Sequence, residues 1–270
     1  MALMTRRNFI RGLAAGTAAA AVSAPLIRHR IQTHSLDAHV QPLALGLQQP
    51  LRVAALGDIH FDPHYEEGYL IHVVERMNEL NADLIVFTGD FVTRTASRMH
   101  DLASLLARGT ARLGSYATLG NHDHWAGAAA VSNALEDHGI HVLRNASIPL
   151  PGQDNVYLSS LDSYWAGRPD PSILARTPAD SRHILLVHEP DPFATLNDAR
   201  IKLQISGHTH GGQIRAPLIG ALHLPKWGNL YQEGLYARDE RYLYVNRGIG
   251  TIGPHIRFRC PPEITVFELS

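Results

Sequence analysis

Between residues 51 and 121 the same local pattern occurs three times. An apolar, β-forming run stops at a glycine, and a side chain with an oxygen donor follows at once. Leu51-Arg52-Val53-Ala54-Ala55-Leu56 leads into Gly57-Asp58. Leu84-Ile85-Val86-Phe87-Thr88 leads into Gly89-Asp90, and Tyr116-Ala117-Thr118-Leu119 leads into Gly120-Asn121. Tyr69 to Leu80, between the first two runs, has Leu70, Val73, Val74, Met77 and Leu80 at helical spacing. Met99 to Ala107 reads as a second helix and Ala128 to Asp137 as a third. Short buried strands alternating with amphipathic helices predict a layered α/β domain.

The chain changes character further on. Val156 to Leu161, His183 to Val187, Lys202 to Ile205, Tyr242 to Asn246 and Glu263 to Glu268 read mostly as strands, with only short helices between them, as near Pro192 to Asn197. A second, partly antiparallel sheet is expected from these segments. Residues 51–270 are read as one domain, and 45% hydrophobic content over 270 residues is enough to build its core. Residues 25–50 show no clear period and are read as a linker or extended lead-in.

Ligands in α/β sheets gather where strands end and loops begin. Asp58, Asp90, Asn121, His188 and the pair His208 and His210 all stand just after predicted strands, and His60 follows Asp58 by two. In extended backbone, Asp58 with His60, and His208 with His210, would point to one side. These seven donors are oxygen or nitrogen with no thiolate, a set that suits two divalent ions of Mn, Fe, Zn or Ni, with Mn favoured. A carboxylate can bridge two metals, and paired metals serve hydrolysis at phosphorus.

Asp58-x-His60, Gly89-Asp90, Gly120-Asn121-His122-Asp123, His188 and Gly207-His208-Thr209-His210 resemble, in order, the five signature blocks of the calcineurin-like metallophosphoesterases. The resemblance spans about Leu51 to the C-terminus. It implies a four-layer α/β/β/α sandwich, with two mixed β-sheets packed face to face and flanked by helices. It also implies one metal on Asp58, His60, Asp90 and His210 and another on Asp90, Asn121, His188 and His208. His122 would then act at the leaving group and Asp123 would orient it. The position where purple acid phosphatases carry a metal-binding tyrosine is Thr93 here. No tyrosinate–iron colour is therefore expected. Val187-His188-Glu189-Pro190-Asp191, Gly211-Gly212-Gln213-Ile214 and Tyr244-Val245-Asn246-Arg247-Gly248 further resemble a bacterial phosphodiesterase branch of the family.

The expected activity is hydrolysis of a phosphodiester by a dinuclear metal centre. Two readings compete with it: a pyrophosphatase acting on a nucleotide-linked lipid precursor of the UDP-diacylglucosamine type, and a non-catalytic metal- or phosphate-binding module. Expected partners are a small-molecule or lipid phosphoester and the twin-arginine export machinery. Thr5-Arg6-Arg7-Asn8-Phe9-Ile10-Arg11, followed by the weakly apolar run Gly12 to Val22, has the pattern of a twin-arginine export signal over residues 1–24. Cleavage after Ala24 would leave Pro25 first. Cleavage after Ser23, or retention as a weak anchor with peripheral membrane association, are the alternatives. The periplasm or the outer face of the cytoplasmic membrane is the expected location. A net charge of −1 gives no general attraction to nucleic acid, and a lone Cys260 rules out an intramolecular disulfide framework.

Several other residues carry paired readings. His124 either reaches the pocket or is solvated or packed on Trp125. Glu189 either supports His188 or caps the surface before Pro190. Arg215 and Arg247 either bind a distal phosphate or pair with carboxylates. His64 and His72 are expected to be exposed or on a helix face. Pro217 to Tyr236, rich in Leu, Ile, Pro, Trp and Tyr, either walls a site for a lipid-like or aromatic group or caps the second sheet.

Overall fold

The computed structural model describes residues 33–61 and 67–270. The expected export segment and His64 lie outside the described residues. Among the described residues, fourteen strands form two six-stranded sheets and one small hairpin. The first sheet contains β1 (Asp37–Leu43), β2 (Leu51–Leu56), β3 (Leu84–Phe87), β4 (Ser115–Ala117), β5 (Ile140–Val142) and β14 (Glu263–Leu269), in the order β1-β14-β2-β3-β4-β5. From β2 to β5 all neighbours run parallel, whereas β14 is antiparallel to β2 and parallel to β1.

The second sheet contains β6 (Ala146–Pro149), β7 (Val156–Ser160), β8 (Arg182–Leu186), β9 (Ile201–Ser206), β12 (Gly234–Arg238) and β13 (Arg241–Val245), in the order β12-β13-β9-β8-β7-β6. Its centre is parallel, and its two outer pairs are antiparallel. β10 (Arg215–Ala216) and β11 (Gly220–Ala221) form the separate hairpin.

Strand periodicity decides the layering. Along β2 and β3, Val53, Ala55, Leu84 and Val86 face one core, while Ala54, Leu56, Ile85 and Phe87 face another. The first core lies between the sheets, where these residues meet Leu158, Ile184, Leu186, Leu203 and Ile205 of the second sheet. The second core lies under α1 (Glu67–Glu79), α2 (Met99–Leu106) and α3 (Asn121–Asp137), whose Leu70, Val73, Met77, Leu102, Leu106, Val131 and Leu135 are buried there. Burial on both faces explains why the parallel strands read as unbroken apolar runs. Across the outer face of the second sheet, Leu161, Leu185 and Val187 pack with Ile173 and Leu174 of a 3₁₀ turn. The expected sandwich is the observed architecture, with 3₁₀ turns over the second sheet in place of long helices.

Three expectations need correction. Residues 25–50 are not all linker, because Asp37–Leu43 forms an edge strand paired along its length with β14. Glu263–Leu269 joins the first sheet and not the second. The third helix begins at Asn121 and not near Ala128. It bends at Gly127, whose φ of 120° lies outside the helical region. Residues 121–123 therefore occupy its first turn.

Candidate active site

The C-terminal ends of β2, β3, β4, β8 and β9 bring the signature blocks together. Asp58 N–H donates to the Gly89 carbonyl (2.9 Å), His60 N–H to the Asp90 carbonyl (3.0 Å) and Gly207 N–H to the His188 carbonyl (3.0 Å), so each loop is braced by its neighbour. Asp58, His60, Asp90, His208 and His210 all hold positive φ, between 47° and 75°. Non-glycine residues seldom adopt this left-handed region, and such strain gathers at functional sites. The expected extended Asp-x-His and His-x-His geometry is thus replaced by left-handed turns. Glycine is required beside Asp90 for two reasons. Gly89 has φ 96°, and a Cβ on Gly120 would stand 2.1 Å from Asp90 Oδ1.

Two donor clusters result. Asp58, His60 and His210 form one, with His60 Nε2 3.0 Å from His210 Nε2 and His210 Nε2 3.6 Å from Asp58 Oδ1. Asp90, His188 and His208 form the other, with His188 Nε2 3.2 Å from His208 Nδ1. Asp90 Oδ2 stands between them, 3.6 Å from His60 Nε2 and 3.2 Å from His188 Nε2. All six side chains are buried.

Tautomers test whether this arrangement suits cations. His188 Nδ1 donates to the Thr88 carbonyl (2.7 Å), and His208 Nε2 donates to the Lys226 carbonyl (2.8 Å). A carbonyl only accepts, so in each neutral ring the other nitrogen carries a bare lone pair. Those two nitrogens face each other across 3.2 Å, and a bound cation would take the place of the proton that Asp90 otherwise holds on His188. Asn121 Oδ1 and His210 Nδ1 are buried with no hydrogen-bond partner. Facing ring nitrogens beside a carboxylate, plus an orphaned amide oxygen, fit divalent cations.

Burial holds the His60 and His210 imidazoles well below their usual pKa, which keeps them in the neutral form that ligates. Burial also pushes the Asp58 carboxyl up, and the charge of Asp90 adds to this. Burial would raise Asp90 too, but the charge of the His188 ring and its hydrogen bond override this and hold that carboxyl low, while Asp90 in turn holds the His188 ring well above its usual pKa.

His122, on the first turn of α3, donates its backbone N–H to Asp90 Oδ1 (2.9 Å). Its Nδ1 donates to the Thr93 carbonyl (2.8 Å), and a ring nitrogen lies within 4.8 Å of donors on His60 and Asp90. The expectation that Asp123 orients this ring is corrected. The Asp123 carboxylate instead accepts backbone N–H groups, from Asp90 and Gly120 on Oδ2 and from Phe91 and Val92 on Oδ1. It fixes the backbone that presents Asp90, and the Thr93 carbonyl fixes His122.

The paired readings resolve as follows. His124 is largely buried, and its Nε2 is 2.7 Å from Asp162 Oδ1, a partner that neither reading named. Trp125 lies edge-on to His122, with centroids 4.8 Å apart. Glu189 is no surface cap. It is fully buried and accepts from Ser163 Oγ and from the N–H groups of Tyr164 and Trp165. Trp165, so held, stands edge-on to His208 (5.6 Å) and to Trp125 (5.1 Å). Arg215 pairs with Glu233, and Arg247 with Asp37 and Glu263, as the second of their two readings expected. His72 is exposed on α1. Thr93 Oγ1 is 3.3 Å from His60 Nδ1.

Sequence reasoning missed Arg257. Its fully buried guanidinium donates to the carbonyls of Arg247, Gly248, Gly250 and Cys260. The loop it gathers backs Asp58 directly, with Ile249 and Gly250 N–H groups on the Gly57 and Asp58 carbonyls. A cavity of about 570 Å³ opens over the clusters. Asp90, Asn121, His122, His208 and His210 line it together with Trp165, and Leu222–Lys226 and Ile252–Pro254 wall it. Pro217 to Tyr236 thus contributes an apolar wall.

Residues 51–212 match the model of the calcineurin-like phosphoesterases, and the chain belongs to that family of metal-dependent phosphoric ester hydrolases. The family binds divalent metals. The chain is 35% identical to the uncharacterized metallophosphoesterase YkuE of Bacillus subtilis (strain 168), covering 100% of this chain and 99% of that protein. It is 30% identical to the phosphodiesterase YaeI of Escherichia coli (strain K12), covering 90% of this chain and 87% of that one. Among solved structures, the NAD nucleotidase NadN of Haemophilus influenzae shares the fold, with a TM-score of 0.50 at 16% identity over 74% of this chain and 46% of that one.

Proposed function

We propose that the protein is an exported phosphodiesterase working with two divalent cations, manganese favoured over iron, zinc or nickel. The observation that carries this reading is the pair of buried donor clusters on either side of Asp90. Asp58, His60, Asp90 and His210 would hold one cation, and Asp90, Asn121, His188 and His208 the other. Bound there, the cations supply Lewis-acid charge that offsets negative charge on the phosphoryl oxygens and activates water toward phosphorus.

The protein's own groups do the rest. Asp123 keeps the Asp90 backbone in its left-handed turn. Thr93 holds Nδ1 of His122, which leaves Nε2 as the nitrogen that protonates the leaving oxygen when the ring carries both protons. Trp165 and the apolar wall exclude water from the far side of the cavity. A diester suits this cavity better than a monoester dianion. Among its described lining residues none is an arginine, Lys226 is the one lysine and lies on the rim, and Arg215 and Arg247 are engaged by carboxylates. The name of the relative YaeI also supports a diester.

The test is hydrolysis of bis(p-nitrophenyl) phosphate by the Mn²⁺-reconstituted chain, beside a chelated control and Asp90→Asn. The expected result is metal-dependent turnover, lost in the variant, that exceeds turnover of p-nitrophenyl phosphate. A folded, metal-loaded protein with no diester turnover would refute the reading. Faster cleavage of a nucleotide-linked pyrophosphate would favour the pyrophosphatase alternative, which the apolar wall also suits.

A further inference from the structure

The hairpin β10–β11 stands beside the cavity and turns through Pro217-Leu218-Ile219. Its tip is built against the ordinary preference of an exposed turn. Leu218 holds φ 68°, a conformation that glycine, asparagine or aspartate adopts most readily. Yet the residue is leucine, 107% exposed, and Ile219 beside it is 77% exposed. Leu222, at the foot of the hairpin, is 60% exposed and also lines the cavity, so it joins the tip to the wall. Charge follows the same geography. No aspartate or glutamate occurs from residue 199 to 232 or from 241 to 262, the two segments that supply the wall, while Lys226 lies on the rim.

We propose that the hairpin tip inserts into a phospholipid leaflet and that the substrate is a lipid phosphodiester taken from it, the alkyl chain resting on Leu222, Leu224, Pro225, Ile252 and Pro254. The substrate half of this proposal rests on the diesterase reading above. A leaflet removes Leu218 and Ile219 from water, and an acid-free rim does not repel lipid phosphates. The wall gives the chain somewhere to lie as the phosphate reaches the donor clusters. Each methylene fully covered there should raise kcat/KM by up to about fourfold.

The test compares methyl p-nitrophenyl phosphate with its dodecyl homologue carried in phosphatidylcholine–phosphatidylglycerol vesicles, using the full chain and a Leu218→Ser/Ile219→Ser variant. In parallel, Leu218→Cys is labelled with an environment-sensitive fluorophore, Cys260 being buried. Glu240→Cys is the control. Glu240 precedes β13, which runs parallel to β9, so it sits at the end of the sheet opposite the ligand loops. On vesicles, the label at Leu218→Cys should report an apolar environment and that at Glu240→Cys should not. The double serine variant should lose about tenfold or more of its dodecyl-ester turnover and keep its methyl-ester rate.

A tip label that stays in water with vesicles present overturns the proposal, as does wild-type turnover of the dodecyl ester by the serine variant. A label shift that appears without lipid as protein concentration rises would also overturn it and assign the tip to a second copy of the chain. Absence of methyl-ester turnover in the wild type would sink the diesterase reading instead, and the tip label would still decide whether the hairpin docks.

Discussion

Asp123→Asn separates two roles that one carboxylate could play. In the structure each carboxylate oxygen accepts two backbone N–H groups, at 2.8 and 2.9 Å on Oδ2 and at 2.8 and 3.3 Å on Oδ1. Asparagine keeps one acceptor oxygen and puts an NH₂ where the other stood. Two buried N–H groups then lose their acceptor and face a donor. At roughly 1–3 kcal/mol for each unsatisfied group, the cost is about 2–6 kcal/mol. Against a total stability on the order of 5–15 kcal/mol this is large. The metal-free variant should melt on the order of 10 °C below the wild type. It should also bind Mn²⁺ more weakly, because the Asp90 turn is no longer fixed. Residual diester turnover should keep the wild-type pH profile, since the Thr93 carbonyl still holds His122. The assay is thermal unfolding in chelator, with the pH dependence of kcat on bis(p-nitrophenyl) phosphate measured beside it. A variant that melts within about 1 °C of wild type while its kcat limb moves would refute the argument and return Asp123 to the role of orienting His122.

Arg257→Met should lower the urea midpoint by the equivalent of more than about 3 kcal/mol, because four buried carbonyls lose their donor. A variant with an unchanged midpoint would remove Arg257 from the support of Asp58. Glu189→Gln should raise KM for bis(p-nitrophenyl) phosphate about tenfold with a smaller effect on kcat, since it frees the Trp165 turn and leaves the donor clusters in place. A fall in kcat at constant KM would contradict this. Burial, aided by Arg200, lowers the His183 pKa from 6.5 to about 4. Between those values the folded protein binds fewer protons than the unfolded chain. The stability tied to the neutral ring is therefore complete above pH 6.5 and is lost as pH falls through about 4. In chelator, His183→Gln should flatten the Tm profile across that window, and parallel profiles would count against the assignment.

The central strands were legible because burial on both faces leaves apolar runs that need no context. β1 was not, because it is a half-exposed edge strand containing Pro42, and its pairing with β14 supplies the order its own pattern lacks. Residue identity placed Asp58, His60, Asp90, Asn121, His188, His208 and His210 at strand ends, where the structure brings them together. Their backbone geometry was hidden, since the left-handed turns depend on hydrogen bonds between loops such as Asp58 to Gly89. The backbone-bracing role of Asp123, and Arg257 altogether, escaped for a related reason. Their partners are backbone groups, from residues as far as 33 positions away for Asp123, and no side-chain pattern announces such an acceptor or donor.

The position of β14 bears on how the molecule is made. It lies inside the first sheet, between β1 and β2, yet it follows every candidate ligand in the chain. A nascent chain that has emerged only as far as residue 250 already carries all seven donors. It still lacks the strand that joins its earliest described strand to the strand leading into Asp58. The sheet beneath the donors closes only when synthesis has reached residue 269. A chain stopped before β14 would carry every metal-binding side chain without the strand that pairs along β2, which leads into Asp58.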